Sequence, residues 1–236
     1  MKRKLRLVIT AVLAAISLVS CNKQGSDVIL VKGTVTFRPF SGGKFYLKQD
    51  DSTALILKNV KDYPFSDGLE KRALVAYEFD PNNPGTSQVE GYKRTFDVTL
   101  CAMDTIFTKA PVQYNPADED KYGNDPVGLY LDQMLFPSTM IEDGYLCVRF
   151  EMPLTGGQHI INLLTGVDPR DPYVVEFRHN RNGDGQLYTD TFYANFPLKS
   201  LPDTKGKVVP LTLRWNSLAS GKIESVTFDY CSRTDW

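Results

Sequence analysis

Histidine is nearly absent, cysteine is scarce and positive charge is not in excess, and each shortage removes a class of function. Only His159 and His179 occur in 236 residues. A catalytic zinc site draws on two or three histidines, often at helical spacing such as HExxH, whereas these two fall on separate predicted strands. The four cysteines form no CxxC pair, which excludes zinc-ribbon and dithiol redox motifs. Lys and Arg number 27 against 28 Asp and Glu. They are interspersed, and beyond residue 20 the longest single-sign run, Asp118-Glu119-Asp120, is acidic. A nucleic-acid binder clusters Lys and Arg on one face, so no nucleic-acid partner is expected. No G-x-S-x-G elbow, phosphate-binding glycine loop or Rossmann fingerprint is present. The chain is therefore read as non-enzymatic, with no catalytic residue, metal or cofactor.

What is present begins at the N-terminus. Lys2, Arg3, Lys4 and Arg6 precede the 13-residue apolar stretch Leu7 to Val19, and Leu18-Val19-Ser20-Cys21 closes it. The stretch is too short to span a ~30 Å hydrocarbon layer but suits a secretory signal. Leu18 to Cys21 resembles a bacterial lipobox, which implies a signal peptide over 1–20 and lipidation of Cys21. Stable anchoring needs more than one acyl chain, and a diacylated, N-acylated cysteine supplies it. The expected location is the cell envelope, at the outer membrane, with periplasmic and surface-facing orientations both open. Without residues 1–20 the formal charge moves from -1 to -5. No later apolar run approaches the ~20 residues of a membrane-spanning helix.

Residues 21–30 read as a tether, and beyond them the hydrophobic period is two, which specifies strands. Val35 and Phe37 alternate with Thr34, Thr36 and Arg38; after Ser41-Gly42-Gly43, Phe45 and Leu47 alternate with Lys44, Tyr46 and Lys48. The two runs read as a hairpin. Leu55 and Leu57, then Ala73, Val75, Tyr77 and Phe79, then Phe96, Val98 and Leu100 mark three more strands. Five short strands within residues 31–110 suit a small closed barrel, which leaves no exposed edges. Residues 111–128 carry prolines and no period and read as a linker. Leu129 to Leu135 has room for one or two helical turns.

Within 129–236 the alternation resumes. Leu146, Val148, Phe150 and Met152 share one parity, as do Tyr173, Val175, Phe177 and His179, then Val209, Leu211, Leu213 and Trp215, and finally Val226, Phe228 and Tyr230. Strands separated by turns, without a long helical pattern, predict an antiparallel β-sandwich. With Cys21 assigned to lipid, Cys101, Cys147 and Cys231 all occupy polar strand positions. A disulfide between Cys147 and Cys231, with Cys101 free, is the resulting expectation, and three unpaired thiols are the alternative. It requires their strands to be neighbours, with Cα atoms within ~7 Å.

The order of these pieces resembles the NigD-like lipoproteins of Bacteroidetes. The residues that carry the likeness are the lipobox, Lys44-Phe45-Tyr46-Leu47-Lys48-Gln49-Asp50-Asp51, Lys71 to Tyr77 and Ile106 to Lys109. In the second half they are Gly144 to Phe150, His159 to Leu163 and Glu176-Phe177-Arg178-His179-Asn180, with Asp184 nearby. The resemblance implies an N-terminal OB-like barrel followed by a C-terminal β-sandwich. The family name comes from a bacteriocin gene cluster, which points to immunity or another envelope protein interaction and to no established activity.

Two local features invite a site. His179 points inward at a strand end, where the structural expectation is a hydrogen bond to the following loop and the alternative is a shared ligand site. Asn180-Arg181-Asn182-Gly183-Asp184-Gly185 places oxygen side chains of Asn180, Asn182 and Asp184 at alternate positions, as in a calcium loop. It lacks the initial acid and the bidentate Glu of an EF-hand, and Asn-Gly and Asp-Gly are strong turn signals. Asp50-Asp51 and Asp118 to Asp120 read as solvated turn acids. Trp215 reads as core; Tyr114, Tyr122 and Trp236 read as exposed anchors. The functional expectation is an interaction module whose partner is an envelope protein. The alternatives are a carbohydrate-binding accessory of a polysaccharide-uptake system, recognising glycan through exposed aromatics, and a hydrolase with paired carboxylates.

Overall fold

The computed structural model describes residues 28–40, 43–132 and 138–236. The lipobox, Cys21 and residues 21–27 of the tether lie outside the described residues, as do residues 133–135 of the anticipated helical turns. Alternation in the first half produces strands β1 (Ile29–Pro39), β2 (Phe45–Asp50), β3 (Thr53–Leu57), β4 (Lys71–Phe79) and β5 (Arg94–Thr105). They close into the expected five-stranded OB-like barrel in the order β1-β2-β3-β5-β4, with β4 returning to β1. The β3–β5 pair is parallel and the rest are antiparallel. Val35, Phe37, Leu47, Leu55, Ala73, Val75 and Val98 fill the interior. From the β3–β4 connection, Phe65 meets Phe37 edge-on at 5.4 Å and Tyr63 meets Phe45 at 5.6 Å. Ala76 pairs with Ala102 but Tyr77 with Leu100. Cys101 is thus the extra residue of a β-bulge, which accounts for its exposed thiol.

The second unit uses β6 (Phe107–Thr108), β7 (Val112–Gln113), α1 (Glu119–Tyr122), β8 (Gly128–Leu129), β9 (Met140–Glu142), β10 (Tyr145–Leu154), β11 (Ile160–Thr165), β12 (Val174–Asn180), β13 (Tyr188–Pro197), β14 (Val209–Asn216) and β15 (Ile223–Tyr230). One sheet runs β6-β13-β10-β8, with β9 also on β10; the other runs β15-β14-β12-β11-β7. Between them lie Leu146, Val148 and Phe150 of β10, Phe177 of β12, Phe196 of β13 and Leu213 and Trp215 of β14. The sandwich is not wholly antiparallel: β12–β14, β11–β7 and β13–β6 are parallel pairs. Parallel neighbours arise because the chain crosses to the other sheet between them. The period-two reading passes over β13, where Thr189, Asp190, Thr191 and Asn195 dilute the apolar pattern.

Two expectations are corrected. Residues 111–128 are not a free linker: β7 joins one sheet, and Tyr122 and Val127 are buried. Its irregular backbone is satisfied by side chains from the sandwich, Arg178 donating to Gly123 O at 3.2 Å and Asn216 to Asn124 O at 2.6 Å. Such bonding replaces the ladder that prolines cannot join. The Cys147–Cys231 disulfide is also absent, and all three described cysteines are free. Strands β10 and β15 belong to opposite sheets. The Cys147 thiol accepts from Arg72 of the barrel at 3.5 Å, while Cys231 accepts from Thr204 at 3.7 Å.

Candidate functional site

The polar row of β1 is buried, and it is buried by charge. Period two directs Thr34, Thr36 and Arg38 outward from the barrel, yet all three are covered, as is Arg72 on β4, which is 1% exposed. The cover is the β9–β10 turn together with the last residues of the chain. Asp143 and Gly144 both have positive φ, 51° and 77°, as an Asp-Gly hairpin turn requires. The turn delivers the Asp143 carboxylate, 3% exposed, to three barrel residues. Arg38 pairs with it at 2.6 Å, Lys48 at 2.6 Å, and Thr36 Oγ1 donates to it at 2.7 Å. Burial alone would raise the Asp143 pKa, but bonds from Lys48 and Thr36 and the charges of Lys48 and Arg233 outweigh it and hold the carboxyl below its usual value.

The C-terminal residues complete the seam. Arg233 grips Glu70 of the barrel through two parallel bonds of 2.7 Å, the bidentate geometry that a planar guanidinium favours. Asp235 pairs with Arg38, and Arg72 with Glu142. Tyr145 donates to Glu70 at 2.6 Å. A Cβ on Gly144 would lie 2.8 Å from both Arg233 and Trp236, so glycine permits the tail to approach the turn. Four carboxylates thus meet four cations, and this arrangement is a latch between domains rather than a pair of acids facing a substrate.

A second cluster gathers both histidines. Ile161 of β11 pairs with His179 of β12, so His159 comes alongside. His159 Nδ1 lies 2.8 Å from His179 Nε2, and His159 Nε2 lies 2.9 Å from Asp184 Oδ2. The rings are 18° from coplanar with centroids 5.0 Å apart; with nitrogens this close the contact is an end-on hydrogen bond, not a face-to-face stack. Asp184 also accepts from the backbone N–H of Thr155 at 2.7 Å and Gly156 at 3.2 Å. The Thr155 N–H, followed by His159, holds its carboxyl well below the usual range. An ionised Asp184 places the proton on His159 Nε2. For neutral rings, His179 Nε2 then donates to His159 Nδ1, leaving His179 Nδ1 bare, and that atom is buried without a partner among the described residues. What His159 faces is an imidazole, not a hydroxyl or thiol, so the chain of bonds has no nucleophile to activate.

The candidate loop residues separate. Asn180 turns away to donate to Asp120 O and Lys121 O, and Asn182 occupies the turn at φ 52°. They do not converge with Asp184 on a cation, and the described residues contain no group of three or more His, Cys, Asp or Glu able to hold a metal. Tyr122, read as an exposed anchor, is buried, whereas Trp236 is 45% exposed.

The histidine pair makes acid sensitivity a property of the sandwich. Burial, followed by the neighbouring His159, pushes the His179 pKa down to about 4, with Asp125 opposing and Arg181 reinforcing the shift. Between pH 6.5 and 4 the unfolded chain binds more protons at this residue than the folded one. Stability therefore falls as pH drops through that window, by about 3 kcal/mol in all. His179→Gln retains an N–H donor without titrating. Urea unfolding at pH 7 and pH 4 should show a smaller acid penalty in this variant than in wild type.

The profile of the NigD-like C-terminal beta sandwich domain matches residues 110–230. Among solved structures, a protein described as toxin-related from Parabacteroides distasonis is 29% identical with a TM-score of 0.67, covering 86% of this chain and 94% of its own. A NigD-like immunity protein from Bacteroides caccae is 18% identical with a TM-score of 0.59, covering 90% and 100%. A protein from Bacteroides fragilis described as a lipoprotein is 11% identical with a TM-score of 0.54, covering 88% and 99%. The last two share the fold. No curated protein sequence matches the chain.

Proposed function

Because the chain belongs to the NigD-like family, we propose that it is an envelope lipoprotein, anchored through Cys21, that protects its cell as a non-catalytic, immunity-type binding protein. The immunity and lipoprotein descriptions of structures sharing its fold support this reading, as does the lipobox. The observation that carries it is the buried seam of ion pairs. By fixing the barrel against the sandwich, the seam presents one preformed surface, and preorganisation lowers the entropy lost on binding. The anchor confines that surface to the membrane where an incoming bacteriocin acts, with the outer membrane as the site.

Killing assays test this. Bacteriocin-sensitive Bacteroides cells expressing the full chain should survive several-fold higher doses of bacteriocin-containing supernatants from competing strains. Cys21→Ala, which removes the lipid acceptor, should abolish protection while leaving the folded domains intact. Equal killing with and without the wild-type chain would contradict the proposal.

A further inference from the structure

Beside the seam, on the side of the sandwich, lies a groove of about 340 Å³ to which the fold assigns no task. Its volume falls within the ~300–1,000 Å³ of small-molecule sites. Leu198, Leu201 and Tyr230, all buried, give it an apolar floor, and Trp236 and Lys199 line it with their side chains exposed. Trp236 is held in place: Arg233 lies over its ring at 4.4 Å, and Tyr145 meets it edge-on at 5.3 Å. An aromatic ring fixed in this way loses little freedom when a ligand stacks on it. Arg233 itself is committed to Glu70 and Asp235, so the groove cation left to a ligand is Lys199.

We propose that this groove binds a neutral glycan. Charge selects the ligand class. An anionic ligand would meet Asp203 in the groove. A cationic ligand would meet Lys199. A sugar ring carries no charge, offers hydroxyls that accept from Lys199 and donate to Asp203, and presents an apolar C–H face to the indole. This proposal stands apart from the immunity-type reading, because it concerns a different ligand and a different assay.

The test is titration of the full chain, purified in detergent, with neutral gluco-, manno-, galacto- and xylo-oligosaccharides, followed by calorimetry. At least one series should bind. Trp236→Ala should weaken that binding at least tenfold, Trp236→Phe should retain most of it, and Lys199→Ala should weaken it several-fold. Lys199 makes no contact across the seam, so its variant should melt as wild type does. The proposal is overturned if no neutral oligosaccharide binds at millimolar concentration, if Trp236→Ala and Lys199→Ala bind like wild type, or if acidic glycans or peptides occupy the groove in preference.

Discussion

Replacing Asp143 with Asn is expected to lower unfolding stability by about 3 kcal/mol, the scale for removing one partner of a buried ion pair. Asparagine tolerates the positive φ of this turn, so the loss reports charge rather than backbone strain. Arg38 would keep Asp235 and Glu70, but Lys48 would keep only Asp51, which is 96% exposed and offers little. Because the buried carboxylate joins two domains, its loss should do more than shift a midpoint. Urea unfolding should broaden or separate into two steps, with the barrel opening first. The ionised Asp143 also gives the seam an acid limit. Its folded pKa lies below the ordinary 3.8, so its contribution is present above that value and is lost as pH falls through the folded pKa. This loss comes at lower pH than the one traced to His179.

Phe177→Ala is expected to cost about 3–5 kcal/mol, the range for truncating a buried aromatic. Phe177 is buried between the sheets, with Phe150 at 5.0 Å and Phe196 at 6.0 Å. What distinguishes this variant is where the damage is felt. If the seam couples the domains, destabilising the sandwich also lowers the free energy at which the barrel opens, although Phe177 touches no barrel residue in its aromatic contacts. Hydrogen exchange should show faster opening of β1 and β4 in Phe177→Ala. The same substitution on an Asp143→Asn background should leave the barrel strands largely unaffected, because distant sites add independently once the link between them is cut.

How far the sequence reveals this molecule depends on what period two can encode. Val35, Phe37, Leu47, Val75 and Val98 declare the barrel interior, and Leu146, Val148, Phe150, Val175 and Phe177 declare the sandwich core. The same alternation assigns Thr36 and Arg38 to an outer face, correctly, but carries no information about what covers that face. Arg38 meets Asp143 across 105 positions and Arg233 meets Glu70 across 163, distances at which no local pattern speaks. The Asp143-Gly144 dipeptide is itself a hairpin signal that marks the turn, though not its partner. Cys147 misleads for the same reason: its polar parity reflects burial against Arg72, not pairing with Cys231. The histidines were closer to legible, since reading β11 and β12 as a hairpin brings His159 alongside His179. The prolines of 109–128 signal irregular backbone, and irregular backbone held by Arg178, Asn180 and Asn216 is indistinguishable in sequence from a loose linker.

The central claim is that the ion-pair seam makes barrel and sandwich one body. Hydrogen exchange of the wild-type chain along a urea series at pH 7 tests it most directly, by comparing β1 to β5 with β10 to β14. The account predicts that both sets lose protection at the same urea concentration, as one cooperative unit. Barrel strands that open at a clearly lower concentration than the sandwich, in wild type, would contradict it.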